Sequence, residues 1–181
     1  MSKPFFKIHD NVFDDKTVDT LYGAFRDHKP WYFTGAGSSE NRDHRKFFYK
    51  LNKEDEIDNI LFEEGDKILK KESLYDSVRL VNSYASSYLY GTLHDFHEDG
   101  ASNYNQIYTI MFYLNKIWTL NYAGETVFLN DDRTEIKKSI IPKPARALIF
   151  DGFITHGARE ISRSCLELRM VATLKYERKH V

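Results

Sequence analysis

Past residue 76 the chain breaks into short segments of β character, and this pattern limits the fold more than any other feature. Stretches near 77–84, 87–97, 107–114, 125–129, 134–141, 145–150 and 166–176 are rich in Val, Ile, Leu, Tyr, Phe and Thr, residues that suit a pleated, half-buried surface. Turn signals separate them: Gly100-Ala101-Ser102-Asn103, Asn121-Tyr122-Ala123-Gly124, Asn130-Asp131-Asp132 and Pro142-Lys143-Pro144. The last segment has two unlike faces. Leu168, Met170, Ala172, Leu174 and Tyr176 share one parity, and Glu167, Arg169, Val171, Thr173 and Lys175 share the other. Side chains alternate across a strand. One face therefore reads as packed on an apolar layer, and the other as turned to a polar cavity or to water.

The first part of the chain reads differently. Phe5, Phe6 and Ile8 form a short apolar strand. Asp14 or Asp15 can cap a helix running to about Asp27, with Val18, Leu21, Tyr22 and Phe25 at helical spacing and Pro30 beyond its end. Thr34 to Ser39 reads as a flexible loop, followed by a charged stretch from Glu40 to Lys46. Residues 34–49 as a whole are either a plain surface loop or a lid over substrate. A second helix is predicted from about Glu54 to Lys71, capped by Asn52, with Ile57, Ile60, Leu61, Ile68 and Leu69 on one face. The expected fold is mainly β with flanking helices: a double-sheet β roll with two N-terminal helices laid against it. Residues 1–181 read as a single domain, with 1–75 as helical support and 76–181 as the β core.

Composition removes several functions. The net charge of −1, from 26 basic and 27 acidic residues, provides no general field for nucleic acid. No apolar run approaches the ~20 residues needed to span a bilayer, and Met1 to Lys7 lacks a signal-peptide core. Cys165 is the single cysteine, so no intrachain disulfide forms, and a reducing, cytoplasmic setting is the expectation.

The chemistry concentrates in His94-Asp95-Phe96-His97-Glu98-Asp99-Gly100. On a strand His97 and Asp99 point to one side, an imidazole beside a carboxylate. With one further imidazole they complete the two-His, one-carboxylate face that holds non-haem Fe(II) with open positions. His156, after the apolar run ending at Phe150, is the candidate. Read alone, the pair also fits a solvated strand end turned by Gly100. By parity His94 faces away from His97, and Glu98 points outward. Trp118 reads as a corner residue and Cys165 as an ordinary small one. His9, His28, His44 and His180 read as surface residues.

Several ordered motifs strengthen the metal reading. Tyr88-Leu89-Tyr90-Gly91 precedes His97, Thr109 to Trp118 reads T-x-x-x-Y-L-N-x-x-W, and Ala123 to Phe128 reads A-G-E-T-x-F. Pro142 to Phe150 leads to His156, and Arg169 follows thirteen residues later. Together, over about residues 77–176, they resemble the Fe(II)/2-oxoglutarate-dependent dioxygenases, specifically the prolyl-4-hydroxylase-like branch. Ala123 stands where that family has the first glycine of a pair, and the His156-to-Arg169 gap is longer than its commonest spacing.

The resemblance implies a double-stranded β-helix, or jelly roll. It implies Fe(II) on His97, Asp99 and His156, with 2-oxoglutarate as cosubstrate, O2 as co-reactant and ascorbate as a candidate reductant. Arg169 and Tyr113 then take the distal carboxylate, with Thr109 pointing inward beside them, and Arg163 is the reserve cation. The implied reaction hydroxylates an unactivated C–H bond with release of succinate and CO2. Its first-choice substrate is a prolyl residue in a peptide or protein, and a free amino acid or other small molecule is the alternative. Two rivals remain. Asn82-Ser83-Tyr84, and Arg169 with Lys175, faintly resemble the N-x-Y and R-x5-R of AlkB-type nucleic-acid demethylases, although a lysine stands at the second arginine. A catalytically inactive β-roll binding module is the non-enzyme reading.

Overall fold

The structure, a computed structural model, describes residues 4–34, 46–92, 95–100 and 106–179. Ten strands and two α-helices are defined among them: β1 Phe6–His9, α1 Asp15–Gly23, β2 Tyr32–Thr34, β3 Lys46–Lys50, α2 Glu56–Lys71, β4 Val78–Tyr88, β5 Ile107–Tyr113, β6 Thr126–Leu129, β7 Ile136–Ile140, β8 Ala147–Asp151, β9 His156–Ala158 and β10 Arg169–Arg178. A seven-stranded sheet runs β1-β8-β5-β10-β4-β3-β2, and a three-stranded sheet runs β7-β6-β9. Every pairing is antiparallel. The two sheets form the jelly roll expected from the segment pattern.

Alternation decides what each face of the large sheet meets. Ile110 and Phe112 of β5, Ala147 and Ile149 of β8, and Met170, Ala172, Leu174 and Tyr176 of β10 pack with Leu21 and Phe25 and with Leu61, Phe62, Ile68 and Leu69 of α2. The opposite parity, Met111, Tyr113, Leu148, Phe150 and Val171, packs with Phe128, Ile140 and Ile161 between the sheets. The predicted two-faced last strand is therefore real, and its polar face lines the interior of the roll. Contact on the helix side is close. A Cβ on Gly65 of α2 would lie 2.8 Å from Leu174 Cδ1 and 3.0 Å from Tyr176 Oη, so a larger residue there makes these side-chain ends shift.

The helices end where side chains satisfy their orphan groups. Asp14 accepts from Thr17 N, and the chain after α1 widens into a π-helical turn over Ala24–His28 before Pro30. Asp55, not Asn52, caps α2, accepting from Ile57 N and Asp58 N. Asn52 instead accepts from Glu54 N one turn earlier. The helix begins at Glu56 because its first free amides face Asp55. Asp58, 0% exposed, accepts from Tyr49 Oη and Asn52 N at 2.8 Å and pairs with Lys29 at 2.9 Å, tying α2 to β3 and to the end of the first helix.

Three further expectations change. The predicted segment 87–97 is not one strand: β4 runs unbroken to Tyr88, and the chain then turns through Gly91, whose φ is +80°. β2 and β3 flank the predicted loop and charged stretch, at 32–34 and 46–50, where no strand was expected. Their shared rungs, Tyr32 opposite Phe48 and Phe33 opposite Phe47, pair ring with ring, and cross-strand pairing decides a strand that sequence alternation leaves faint. The proposed lid, 34–49, is strand at Thr34 and from Lys46 on, while 35–45 lies outside the described residues, as do His44, His94 and His180. His9 is buried rather than on the surface, with Nε2 3.2 Å from Glu72, because β1 pairs with β8 and carries it under α2. No helix among the described residues is long and apolar enough to cross a membrane.

Candidate metal and cosubstrate site

The backbone brings three dispersed residues together. His97 and His156 form an isolated antiparallel bridge, each amide donating to the other's carbonyl at 2.9 Å. Asp99 N donates to Gly152 O at 2.7 Å, and Gly152 N donates to Ile107 O. The segment carrying His97 and Asp99 is thus fastened beside the turn that leads into β9. His97 and Asp99 share a side as parity predicts, although only the bridge, and no full strand, surrounds them.

Ligand atoms of His97, Asp99 and His156 all lie within 4.8 Å of one another. His97 Nε2 is 3.5 Å from Asp99 Oδ1, and His156 Nε2 is 3.6 Å from Asp99 Oδ2. Each imidazole turns Nδ1 to a backbone carbonyl, Asp95 O at 3.1 Å for His97 and Ile154 O at 2.9 Å for His156. A donated Nδ1–H fixes the tautomer and leaves Nε2 with a lone pair. Burial lowers the His156 pKa against the opposing pull of Asp99, which favours the neutral, ligating form. Burial alone would raise the Asp99 carboxyl. The neighbouring His97 and His156 imidazoles and the Lys175 ammonium outweigh it and hold the group ionised, well below the usual carboxylate range. Thr109 Oγ1 donates to Asp99 Oδ2 at 2.7 Å. Lys175 Nζ approaches Oδ1 at 2.7 Å as an ion pair. Two imidazoles and one ionised carboxylate facing one point are a donor set that suits a divalent transition metal.

The other end of the cavity holds a different group. Arg169 is 1% exposed. Its Nε donates to Gly124 O at 2.6 Å and its Nη2 to Thr126 Oγ1 at 2.8 Å. Tyr113 Oη donates to the same Thr126 oxygen at 2.7 Å. The guanidinium lies 5.8 Å from the Tyr88 ring centroid and 5.6 Å from that of Tyr113. Burial depresses its pKa, and among the described residues no carboxylate pairs with it. A buried cation without a counter-ion is costly, and a bidentate carboxylate is the partner a guanidinium fits.

Arg169 and Tyr113 therefore sit together as the sequence grouped them. Thr109 sits on Asp99, four residues before Tyr113 along β5, or about 13 Å by strand rise. Arg163 is exposed and Arg169 buried. Glu98 faces outward, pairing with Arg133 at 2.8 Å. Trp118 Nε1 donates to Ala123 O at 2.9 Å, holding the turn ahead of β6. The sequence reading missed Thr126, which joins Tyr113 to Arg169, and gave Lys175 no place in this site. Lys175 was marked by its parity with Arg169 and Thr173 on β10, and Thr126 by its place in the A-G-E-T-x-F motif.

Fold and donor set define a non-haem metal oxygenase class. The family profile described as the 2OG-Fe(II) oxygenase superfamily matches residues 80–176, and the chain belongs to that superfamily, whose cofactors are Fe(II) and 2-oxoglutarate. Comparison with curated protein sequences returned no match. Solved structures with the same fold include a prolyl hydroxylase from Trichoplax adhaerens in complex with a hypoxia inducible factor oxygen degradation domain peptide, at TM-score 0.72 and 17% identity, covering 96% of this chain and 83% of that one. The viral collagen prolyl hydroxylase of Paramecium Bursaria Chlorella virus-1, as its 2OG complex, aligns at TM-score 0.69 and 15% identity over 97% of both chains. HygX from Streptomyces hygroscopicus, with nickel and 2-oxoglutarate bound, aligns at TM-score 0.73 and 12% identity, covering 96% and 83%. At these identities the likeness establishes the fold.

Proposed function

We propose that this oxygenase hydroxylates a prolyl residue in a peptide or protein. In this reading His97, Asp99 and His156 hold Fe(II), and Arg169 with Tyr113 takes the distal carboxylate of 2-oxoglutarate. Bound there, the iron supplies the O2 chemistry that couples decarboxylation of 2-oxoglutarate to succinate and CO2 with oxygen insertion into a C–H bond. Thr109 holds Asp99 in its ligating pose. Thr126 hydrogen-bonds Arg169 and Tyr113, keeping both in place. The apolar layer of Phe128, Leu148 and Phe150 keeps water from the interior. Residues 1–181 then work as one domain, with the helices stiffening the sheet that carries Arg169.

The observation that carries the cosubstrate reading is the buried Arg169, paired with no carboxylate among the described residues, on the same interior face as the three-ligand set. The prolyl reading is supported by the peptide-bound prolyl hydroxylase of the same fold and by a row of rings on the site-facing side of the large sheet. Tyr84 stacks on Phe48 with centroids 5.2 Å apart, and Phe48 meets Tyr32 at 5.2 Å. Aromatic surfaces accept pyrrolidine rings and the extended conformation that proline imposes.

Purified protein with Fe(II), 2-oxoglutarate and a panel of proline-containing peptides is the test. The expected result is succinate release matched to gain of one oxygen on a prolyl residue, read by tandem mass spectrometry. Turnover of a free amino acid or aminoglycoside, with every peptide untouched, would overturn the prolyl assignment and leave the oxygenase class intact.

A further inference from the structure

Asp99 already has a cation. Its side chain is 2% exposed, and Lys175 Nζ stands 2.7 Å from Oδ1, the oxygen that Thr109 leaves free. Lys175 comes from β10, where it lies opposite Thr109 of β5 and Asn82 of β4. Its ammonium also lies 5.7 Å from the Tyr84 ring centroid, and its side chain is 19% exposed. Thr109, Asp99 and Lys175 thus form one cluster in which the hydroxyl fixes one carboxylate oxygen and the ammonium neutralises the other.

We infer that Lys175 is the resident counter-ion of Asp99, standing in for the divalent metal in the metal-free protein and limiting how tightly the site takes one. This rests on the reading of His97, Asp99 and His156 as metal ligands. A carboxylate buried to this degree without a positive partner is costly, so the ammonium lets the site fold with its ligands in place. A divalent cation on the same carboxylate repels that ammonium strongly at such range. Metal entry must therefore displace Lys175 along its flexible stem or bear the repulsion. Either way the lysine subtracts from metal affinity. Orientation does not depend on it, because Thr109 Oγ1 keeps its hold on Oδ2. Lys175 is thus an affinity-setting residue, and it touches neither substrate nor cosubstrate in this role.

The test is Mn(II) binding by calorimetry to the metal-free full chain, with thermal melting of each variant alongside. Lys175→Met, which keeps the stem and removes the charge, is expected to bind Mn(II) about tenfold tighter or more. Its metal-free form should melt below wild type, and saturating Mn(II) should narrow that gap. Lys175→Arg should stay within about threefold of wild type because it keeps the charge. If Lys175→Met does not fold, Lys175→Gln takes its place. Unchanged or weaker Mn(II) binding in the neutral variants overturns the inference. His156→Ala separates this from failure of the ligand assignment: if it leaves wild-type Mn(II) affinity intact, the metal site itself is wrongly placed.

Discussion

Replacing Arg169 with Met removes a cation that the fold buries at 1% exposure and that no described carboxylate neutralises. In the free protein the change has opposing effects. Hydrogen bonds to Gly124 O and Thr126 Oγ1 are lost, at about 1 kcal/mol each. Against this, the cost of holding an unpaired charge out of water, several kcal/mol, is relieved. Thr126 keeps Tyr113 as a donor. Global stability should therefore stay within about 2 kcal/mol of wild type. Cosubstrate affinity should respond far more. Truncating one partner of a buried charge pair costs about 2–5 kcal/mol, which is roughly thirtyfold to a few thousandfold in Kd. The assay is calorimetric titration of 2-oxoglutarate into Mn(II)-loaded Arg169→Met, with Arg163→Ala as the exposed control. A 2-oxoglutarate Kd within about threefold of wild type for Arg169→Met, or a larger effect from Arg163→Ala, would refute the assignment of the anchor.

Three stability predictions follow from buried or strained positions. Burial, aided by Lys71, lowers the His9 pKa despite Glu72, so the unfolded chain takes up a proton first as pH falls. Stability from this group is full above about pH 6.5 and declines below it; in denaturant titrations His9→Gln should show a shallower loss between about pH 7 and 5, with His156, shifted the same way, contributing what slope remains. Ala123 holds φ 53° and ψ −138°, a region costly for any residue with a Cβ. Ala123→Gly should gain about 1 kcal/mol net of the entropy glycine adds to the unfolded chain, seen as a higher melting temperature; a lower one contradicts the strain. Asp58→Ala strips Tyr49, Asn52 and Lys29 of a shared acceptor and should cost about 3 kcal/mol, since Lys29 keeps Asp55; a chemical denaturation midpoint near wild type would show that the network is dispensable.

The parts of this molecule that could be read from sequence are those where one period or one chemical type decides. β10 announced both its faces because five apolar residues alternate with Arg169, Val171, Thr173 and Lys175 over a continuous run. The candidate ligands were visible because few residue types bind iron and because His97 and Asp99 sit two apart. What escaped depends on distant partners. β3 exists through pairing with β4, and β2 through pairing with β3 and ring contacts across the two strands, none of which shows in local alternation. His9 looks like a surface residue until β1 docks on β8 and brings it under α2. Thr109 shares parity with Tyr113, and parity alone does not say how far along a cavity a side chain lies. Its place on Asp99 follows from where the 95–100 segment is fastened to Gly152. The α2 cap moved from Asn52 to Asp55 because both precede the helix and both carry a suitable oxygen; only the backbone direction chooses between them.

The most direct measurement on the site is an anaerobic titration of the metal-free protein with Fe(II) and then 2-oxoglutarate, watched by visible absorption. Chelation of the keto acid by iron on the three ligands predicts a metal-to-ligand charge-transfer band in wild type, absent in Asp99→Ala and His156→Ala. Folded, iron-loaded protein that develops no band, or a band that survives loss of Asp99, would contradict the placement of Fe(II) and 2-oxoglutarate at this site.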